Sequence, residues 1–365
     1  MSAHIDPLDP ETVEGLPPKW QADADDELVC CQRRQETEDV VSFIFRPRTP
    51  SAFRFIPGQF ITLELEIDGE TINRCYTVSS APTRPDRLSI TVKRTPGGVV
   101  SNWLHDNLQP GMSIHALGPS GDFCASHHRA GKYLFLSGGS GVTPLMSMSR
   151  TAHDMAEPTD IVFVHSARTP KDIIFRDELQ LMTRNMNSFR TAFVCERRDG
   201  EPGWSAPTGY LTLALLQLIA PDYAEREVFC CGPEPYMRAV RSMLADAGFD
   251  MTRYHEESFN FGSTAEADAE PVAVANSEDG YSVELTKTGV TLRCAPGQSV
   301  LDAARVAGLR IPSSCSKGVC GTCKSKLVSG QVDMKHGGGI RQREIDQGMF
   351  LPCCSTPLSD LVMDR

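Results

Sequence analysis

From Leu28 to Pro47 apolar and polar residues alternate with a period near two, and Val40-Val41-Ser42-Phe43-Ile44-Phe45 concentrates β-branched and aromatic residues. That pattern predicts two strands joined by a turn. Shorter strand patterns follow at Gln59 to Ile67, Tyr76 to Ser79, Leu88 to Lys93 and Ser113 to Leu117, punctuated by Pro57-Gly58, Asp68-Gly69, Pro96-Gly97-Gly98 and Pro110-Gly111. Each Gly or Pro pair turns the chain back on itself, so this region reads as a small antiparallel β-barrel with one helix near Val100 to Asn107.

The texture changes at Lys132. Apolar runs at Tyr133 to Leu136, Asp160 to Val164, Phe189 to Val194 and Glu227 to Cys231 alternate with helical patterns at Thr143 to Ala152, Phe175 to Asn185, Leu211 to Ile219 and Pro235 to Ala247. Strand and helix in alternation predict a parallel sheet covered on both faces, an α/β domain. Gly262 to Gly280 is mostly Ala, Glu, Asp, Ser and Gly without a period, which reads as a linker extended by its acids. Beyond it, strands at Tyr281 to Thr286 and Val290 to Arg293 and a helix at Val300 to Ala307 open a third, α+β, β-grasp-like domain. The expected division is a polar flexible leader over 1–25, the barrel over 26–128, the α/β domain over 129–261, a linker over 262–280 and the last domain over 281–365.

Composition narrows the class. A net charge of −11 over 365 residues argues against nucleic acid as a partner, and no apolar run approaches the eighteen residues of a membrane span. The 13 cysteines read as reduced thiols in a reducing compartment, so the expected location is the cytoplasm. From Tyr281 onward, eleven Lys plus Arg oppose seven Asp plus Glu, so a basic tail follows an acidic body.

The densest chemistry lies in that tail. Cys315, Cys320 and Cys323 follow the spacing Cys-x4-Cys-x2-Cys, and Cys353 comes after twenty-nine intervening residues. This is the ligand pattern of a plant-type [2Fe-2S] cluster, whereas structural zinc would call for paired Cys-x2-Cys spacings. The residues between are mostly small, which lets the backbone wrap closely and aim N–H groups at sulfur. In the double cysteine, Cys353 is the expected ligand and Cys354 a small buried side chain. His127-His128, by contrast, reads as a solvated pair after a turn.

Two earlier regions carry nucleotide chemistry. In Arg74-Cys75-Tyr76-Thr77, Arg74 suits a flavin phosphate, Tyr76 the isoalloxazine face and the Thr77 hydroxyl the ring N5. Gly97-Gly98-Val99-Val100-Ser101-Asn102 joins glycines to a helix start that would cradle a pyrophosphate, and Gly118-Pro119-Ser120-Gly121-Asp122-Phe123 adds a turn. Gly138-Gly139-Ser140-Gly141-Val142-Thr143-Pro144 follows a strand and opens a helix, as a dinucleotide loop does, and Cys230-Cys231-Gly232-Pro233 ends a later strand of the same sheet, beside the expected nicotinamide.

These residues resemble the ferredoxin–NADP reductase superfamily, and the order flavin, nicotinamide, ferredoxin resembles the reductase components of Rieske-type oxygenases. Gly58-Gln59-Phe60, Ser101-Asn102-Trp103-Leu104-His105-Asp106, His165-Ser166-Ala167-Arg168-Thr169-Pro170-Lys171-Asp172 and Arg253-Tyr254-His255-Glu256-Glu257-Ser258-Phe259 are similar to the glycine betaine monooxygenase reductase family. The resemblance implies FAD, NADH and a [2Fe-2S] cluster, and electron delivery to a Rieske-type oxygenase that demethylates glycine betaine. It implies flavin contacts at Arg74, Tyr76, Thr77, Lys93, Gly98, Val99 and Ser101. It places the dinucleotide at Gly139, Gly141, Thr143, Pro144, Cys231, Gly232 and Pro233, and the cluster on Cys315, Cys320, Cys323 and Cys353. Thr77 and Cys231 then flank the reacting atoms. Arg168, just after a strand of the α/β domain, also suits a 2′-phosphate, which leaves NADPH open.

Such a chain splits a hydride's two electrons into single transfers. The same electron chain serving a diiron oxygenase or a hybrid-cluster protein is an alternative, as is a redox carrier or sensor that is not an enzyme. Lys317, Lys324 and Lys326, within or just after the cluster loop, are expected to steer the cluster face toward an acidic acceptor.

Overall fold

Short alternating runs give the chain its first sheet. The computed structural model describes residues 17–22, 26–199, 201, 203–259, 280–309, 311–313 and 315–365. Strands β1 (Glu27–Thr37), β2 (Val40–Pro47), β3 (Phe60–Ile67), β4 (Glu70–Thr77), β5 (Leu88–Lys93) and β6 (Ser113–Ser120), with helix α1 (Val99–Asn107) between the last two, form an antiparallel sheet in the order β4-β3-β6-β1-β2-β5. Asp68 and Gly69, with φ of 53° and 81°, make the tight turn that joins β3 to β4. This hairpin makes β4 longer than the run at Tyr76 to Ser79 suggested, because its outer half is polar and shows no apolar alternation.

The barrel core is aromatic, with Phe43, Phe45, Phe53, Ile61 and Leu63 fully enclosed. Trp20 and Ala22 belong to it too, although the sequence placed them in a loose leader. The Trp20 ring meets Phe53 edge-on at 5.5 Å, and Ala52 bonds through its backbone to both Pro18 and Trp20, so this stretch is stapled to the barrel.

The second sheet is parallel. Strands β7 (Lys132–Gly138), β8 (Asp160–Ala167), β9 (Phe189–Cys195), β10 (Glu227–Cys231) and β11 (Tyr254–Glu257) lie in the order β11-β10-β7-β8-β9. They are linked by helices α2 (Val142–Asp154), α3 (Arg176–Asn185), α4 (Leu213–Ile219) and α5 (Glu234–Asp246). Strand order reverses between β7 and β10, and at such a switch point the loops after two strands part and leave a crevice.

The third sheet is mixed. Strands β12 (Tyr281–Leu285), β13 (Val290–Cys294), β14 (Ser325–Ser329), β16 (Met349–Phe350) and β18 (Leu361–Asp364) run in the order β13-β12-β18-β14-β16, with β12 and β18 parallel. Helix α6 (Val300–Val306), capped by the Ser299 hydroxyl, buries Val300, Leu301, Ala303 and Ala304 in this domain's core. A separate pair, β15 (Val332–Met334) with β17 (Ser355–Pro357), and the short helix α7 (Gln342–Asp346) complete it. The linker expected at 262–280 lies outside the described residues apart from its last position. Among the described residues no helix is long and apolar enough to cross a membrane.

Candidate functional site

A cavity of about 560 Å³ opens where the three sheets meet. The barrel contributes Phe60, Cys75 and Thr77, the end of the parallel sheet contributes Phe229, Glu257 and Phe259, and the cluster loop contributes Cys315, Lys317 and Val319. Strand pleating decides which barrel residues arrive. Asn73, Cys75 and Thr77 occupy one face of β4, and Arg74 and Tyr76 the other. Thr77, paired with Phe60 on β3, therefore lines the cavity, while Tyr76 packs against the barrel core. Tyr76, expected at the flavin ring, is not among the residues that line this cavity. Arg74 donates to the Asn73 carbonyl at 2.9 Å.

On the phosphate side, Gly98 caps α1 without a side-chain bond, which leaves the first helical N–H groups open. Val99 is exposed beside it, and the Ser101 hydroxyl turns back to the Gly98 carbonyl and the Thr95 N–H. Lys93 pairs with Asp39 at 3.3 Å, and Arg168 reaches the same carboxylate at 3.4 Å. Arg168 thus ties the α/β domain to the barrel.

The two nucleotide motifs come together at the switch point. Cys231 on β10 lies opposite Ser137 on β7, and the loop that follows β7 meets the one that follows β10, Gly138 beside Pro233 and Gly141 beside Gly232. Gly141 is required here: a Cβ at this position would stand 2.1 Å from the Cys231 carbonyl oxygen. Thr143 and Pro144 are buried in the first turn of α2, with the Thr143 hydroxyl donating to the Ser140 carbonyl at 3.1 Å.

On the other side of β10, Glu257 pairs in register with Cys231. The Cys231 thiol is completely buried, and burial, with Glu257 next to it, pushes its pKa well up, so it stays a neutral thiol. Burial and the Asp122 carboxylate likewise push Glu257 up to about 8, and its Oε2 is buried without a hydrogen-bond partner. A neutral carboxyl with an unused oxygen at the cavity wall is a ready proton donor or acceptor. Sequence reasoning missed Glu257 and Phe259 as site residues, because β11 is four residues long and carries no apolar alternation, and its place at the cavity comes from its pairing with β10.

His128, read as solvated, instead stacks on His255 with ring centroids 3.7 Å apart, and His255 Nε2 lies 2.6 Å from Glu227 Oε1. His128, Glu227 and His255 each bring one donor atom within 4.8 Å of the others, beside the cavity that the two histidines line.

The four predicted cluster ligands converge. The Cys353 sulfur adjoins those of Cys315 and Cys323, and Cys320 adjoins Cys315. Backbone N–H groups of Lys317 and Val319 point at the Cys315 sulfur at 3.4 and 3.3 Å, and that of Cys315 at the Cys320 sulfur at 3.4 Å. Gly318, at φ 72°, allows this wrap, since a Cβ there would meet the Cys354 sulfur at 2.6 Å. Four convergent thiols with amide donors suit an iron–sulfur cluster, which needs thiolate ligands and bonds to its sulfurs. Cys354, half-buried rather than buried, bonds to the Leu351 carbonyl.

A barrel and a four-cysteine loop on one cavity, beside a parallel sheet with glycine loops at its switch point, define a modular flavin and iron–sulfur oxidoreductase. Family models agree: an oxidoreductase FAD-binding domain matches residues 28–124, an oxidoreductase NAD-binding domain 135–242 and a 2Fe-2S iron-sulfur cluster binding domain 283–358. The chain is 49% identical over 348 residues to a glycine betaine monooxygenase reductase subunit of Pseudomonas aeruginosa, covering 92% of this chain and 94% of that one. A stachydrine N-demethylase reductase subunit of Rhizobium meliloti is 44% identical, covering 91% and 94%. The fold matches that of phthalate dioxygenase reductase with a TM-score of 0.56 at 24% identity, over 95% of this chain and all of that one. The chain belongs to the family of monooxygenase reductase subunits that carry FAD-binding, NAD-binding and [2Fe-2S] domains in that order.

Proposed function

We propose that this chain draws hydride from NADH and delivers electrons singly to a Rieske-type oxygenase that demethylates glycine betaine. The observation that carries this reading is the shared cavity, in which Thr77, Glu257 and Cys315 form walls from three domains. When bound, the flavin supplies the conversion of a two-electron hydride into one-electron steps. The chain's own residues do the rest. The open N-terminus of α1, with Gly98, Val99 and Ser101, and the side chains of Arg74 and Lys93 would receive the flavin phosphates. The Thr77 hydroxyl would orient the ring from the barrel side, and Tyr76 would support it. Gly139, Gly141, Thr143, Pro144, Gly232 and Pro233 would hold the dinucleotide, with Cys231 as a neutral neighbour to the nicotinamide. Arg168, like Lys93 within reach of Asp39, would stand on the ribose side of the dinucleotide. Cys315, Cys320, Cys323 and Cys353 would hold the cluster.

The 49% identity to glycine betaine monooxygenase reductase subunits supports the choice of oxygenase. Reconstitution with candidate oxygenases tests it: NADH consumption coupled to formaldehyde release from glycine betaine is expected. Coupling only with a stachydrine-demethylating oxygenase would assign the chain to that system instead, and NADH use coupled to neither would overturn the proposal.

A further inference from the structure

Pleating gives the barrel an outward face on β3, β4 and β6 that the family match does not explain. Along β3 the side chains of Ile61, Leu63 and Leu65 enter the core, so Phe60, Thr62 and Glu64 face out. Their cross-strand partners on β4 are Thr77, Cys75 and Asn73. One end of this face, Phe60 with Thr77, lines the cavity, and the other end carries a carboxylate beside an amide. The cluster domain covers the whole strip. Next to the cavity, Cys75 meets the Cys320 sulfur and shares the cavity wall with Cys315. Further along, Asn73 Nδ2 donates to the Gly321 carbonyl at 3.1 Å. At the far end, Glu64 receives Lys324 Nζ at 3.1 Å and, closer still, Arg341.

Arg341 is the centre of this contact. Its side chain is 4% exposed, and it donates to the Ala116 carbonyl on β6 at 3.2 Å while reaching Asp26 at 3.3 Å. Arg343 also contacts Asp26, and Glu344 takes Lys324 at 2.6 Å. The acids Glu64 and Asp26 belong to the barrel, and the cations Lys324, Arg341 and Arg343 to the cluster domain. Surface ion pairs contribute little, but buried ones have fixed geometry, and loss of one partner strands the other charge. Lys324 directly follows Cys323, and Arg341 lies further along the same segment that joins Cys323 to Cys353. Holding Lys324 therefore fixes the end of the cysteine loop at Cys323, and holding Arg341 fixes the segment that leads on to Cys353.

We infer that the outward face of β3, β4 and β6 is a docking surface for the cluster domain, with Glu64 the positioning residue that holds the cysteine loop against the flavin cavity. The inference rests on the electron-transfer reading above for its consequence, but not for its geometry. Electron exchange between two groups falls steeply with separation, so a dock that fixes Cys315 and Val319 at the cavity wall governs the step from flavin to cluster and leaves the arrival of hydride untouched. One electron leaves the reduced flavin and one enters the oxidised cluster at each passage, and no other reactant is needed.

Glu64→Gln keeps the size of the side chain and removes the charge on which Lys324 and Arg341 converge. In the oxidised holoprotein without NADH, maleimide labelling of Cys75, followed by peptide mass spectrometry, is expected to accelerate at least tenfold, since Cys75 lies beneath the docked loop. Under anaerobic stopped flow, flavin reduction by NADH is expected at the wild-type rate and cluster reduction at least tenfold slower. Glu64→Asp, which restores the charge, is expected to recover most of both. Wild-type labelling and wild-type cluster reduction in Glu64→Gln would overturn the inference. If that variant fails to take up flavin and cluster, Lys324→Met provides the same comparison with Arg341 still on Glu64: faster labelling supports the dock and unchanged labelling overturns it. Because labelling is read without NADH, a failure of the dock is distinguishable from a failure of the functional reading, which would appear as unreduced flavin in the wild-type protein.

Discussion

Glu257 shows how one side chain acquires chemistry from its neighbours. A carboxyl ordinarily ionises near pH 4.5, and this one is pushed up to about 8, first by burial and then by Asp122. Between those two values the folded protein holds a proton that the unfolded chain has released. Stability is therefore full below about pH 4.5, falls as pH rises and has lost this contribution once the folded group ionises near 8. Glu257→Gln removes the titration. Its unfolding midpoint is expected to gain on that of the wild type steadily from pH 5 to 8, and parallel midpoints over that range would mean the carboxylate finds a partner. Thr77, which lines the cavity, and Cys231 were readable as candidates because each ends a strand next to a glycine or hydroxyl motif. Glu257 was not, because its role comes from standing opposite Cys231.

At the scale of elements, the dinucleotide crevice depends on how closely α2 and its leading turn approach β10. The glycine run was readable as a phosphate loop, but which glycine is indispensable was not, since that follows from the Cys231 carbonyl across the switch point. Gly141→Ala forces its methyl to within 2.1 Å of that oxygen, so helix or strand must shift. Overpacking of this kind costs about 1–3 kcal/mol. A lowered thermal midpoint together with a KM for NADH raised severalfold is expected, and both can be read by calorimetry and steady-state dye reduction. An unchanged KM would separate this contact from the binding of the nicotinamide nucleotide. The same scale explains the leader: Trp20 looked like part of a polar tail because the residues around it are polar, and only the Phe53 ring, on a distant part of the chain, accounts for its burial.

At the scale of the whole molecule, charge is distributed between two jobs. The three lysines near the cluster loop read alike in sequence, yet Lys324 is committed to Glu64 and Glu344, while Lys317 and Lys326 are exposed. On the proposed reading, steering toward an acidic acceptor would fall to the latter two. Reversal of both, Lys317→Glu with Lys326→Glu, is expected to slow reduction of the oxygenase several-fold at low ionic strength. The difference should close as salt shortens the screening length to about 10 Å at 0.1 M and below. Stopped-flow traces of oxygenase reduction across a salt series check this, and equal rates throughout would confine these lysines to solubility.

What the sequence determined by itself is whatever its local pattern encodes. Period-two runs and their Gly and Pro breaks defined the barrel strands, alternating strands and helices defined the parallel sheet, and cysteine spacing defined the cluster loop. In each case the signal is carried by residues close in the chain or on one strand, even where, as for Cys353, the partner is remote. The short strands β11 and β14 to β18, the face of β4 that meets the cavity, the burial of Trp20 and the pairing of Glu64 with Lys324 and Arg341 were decided by the tertiary structure. Their partners are remote: Arg341 and the Ala116 carbonyl it bonds are 225 positions apart. Glutamate, lysine and arginine are ordinary surface residues until two domains enclose them, and nothing in their own neighbourhood distinguishes a solvated charge from one that is buried and paired.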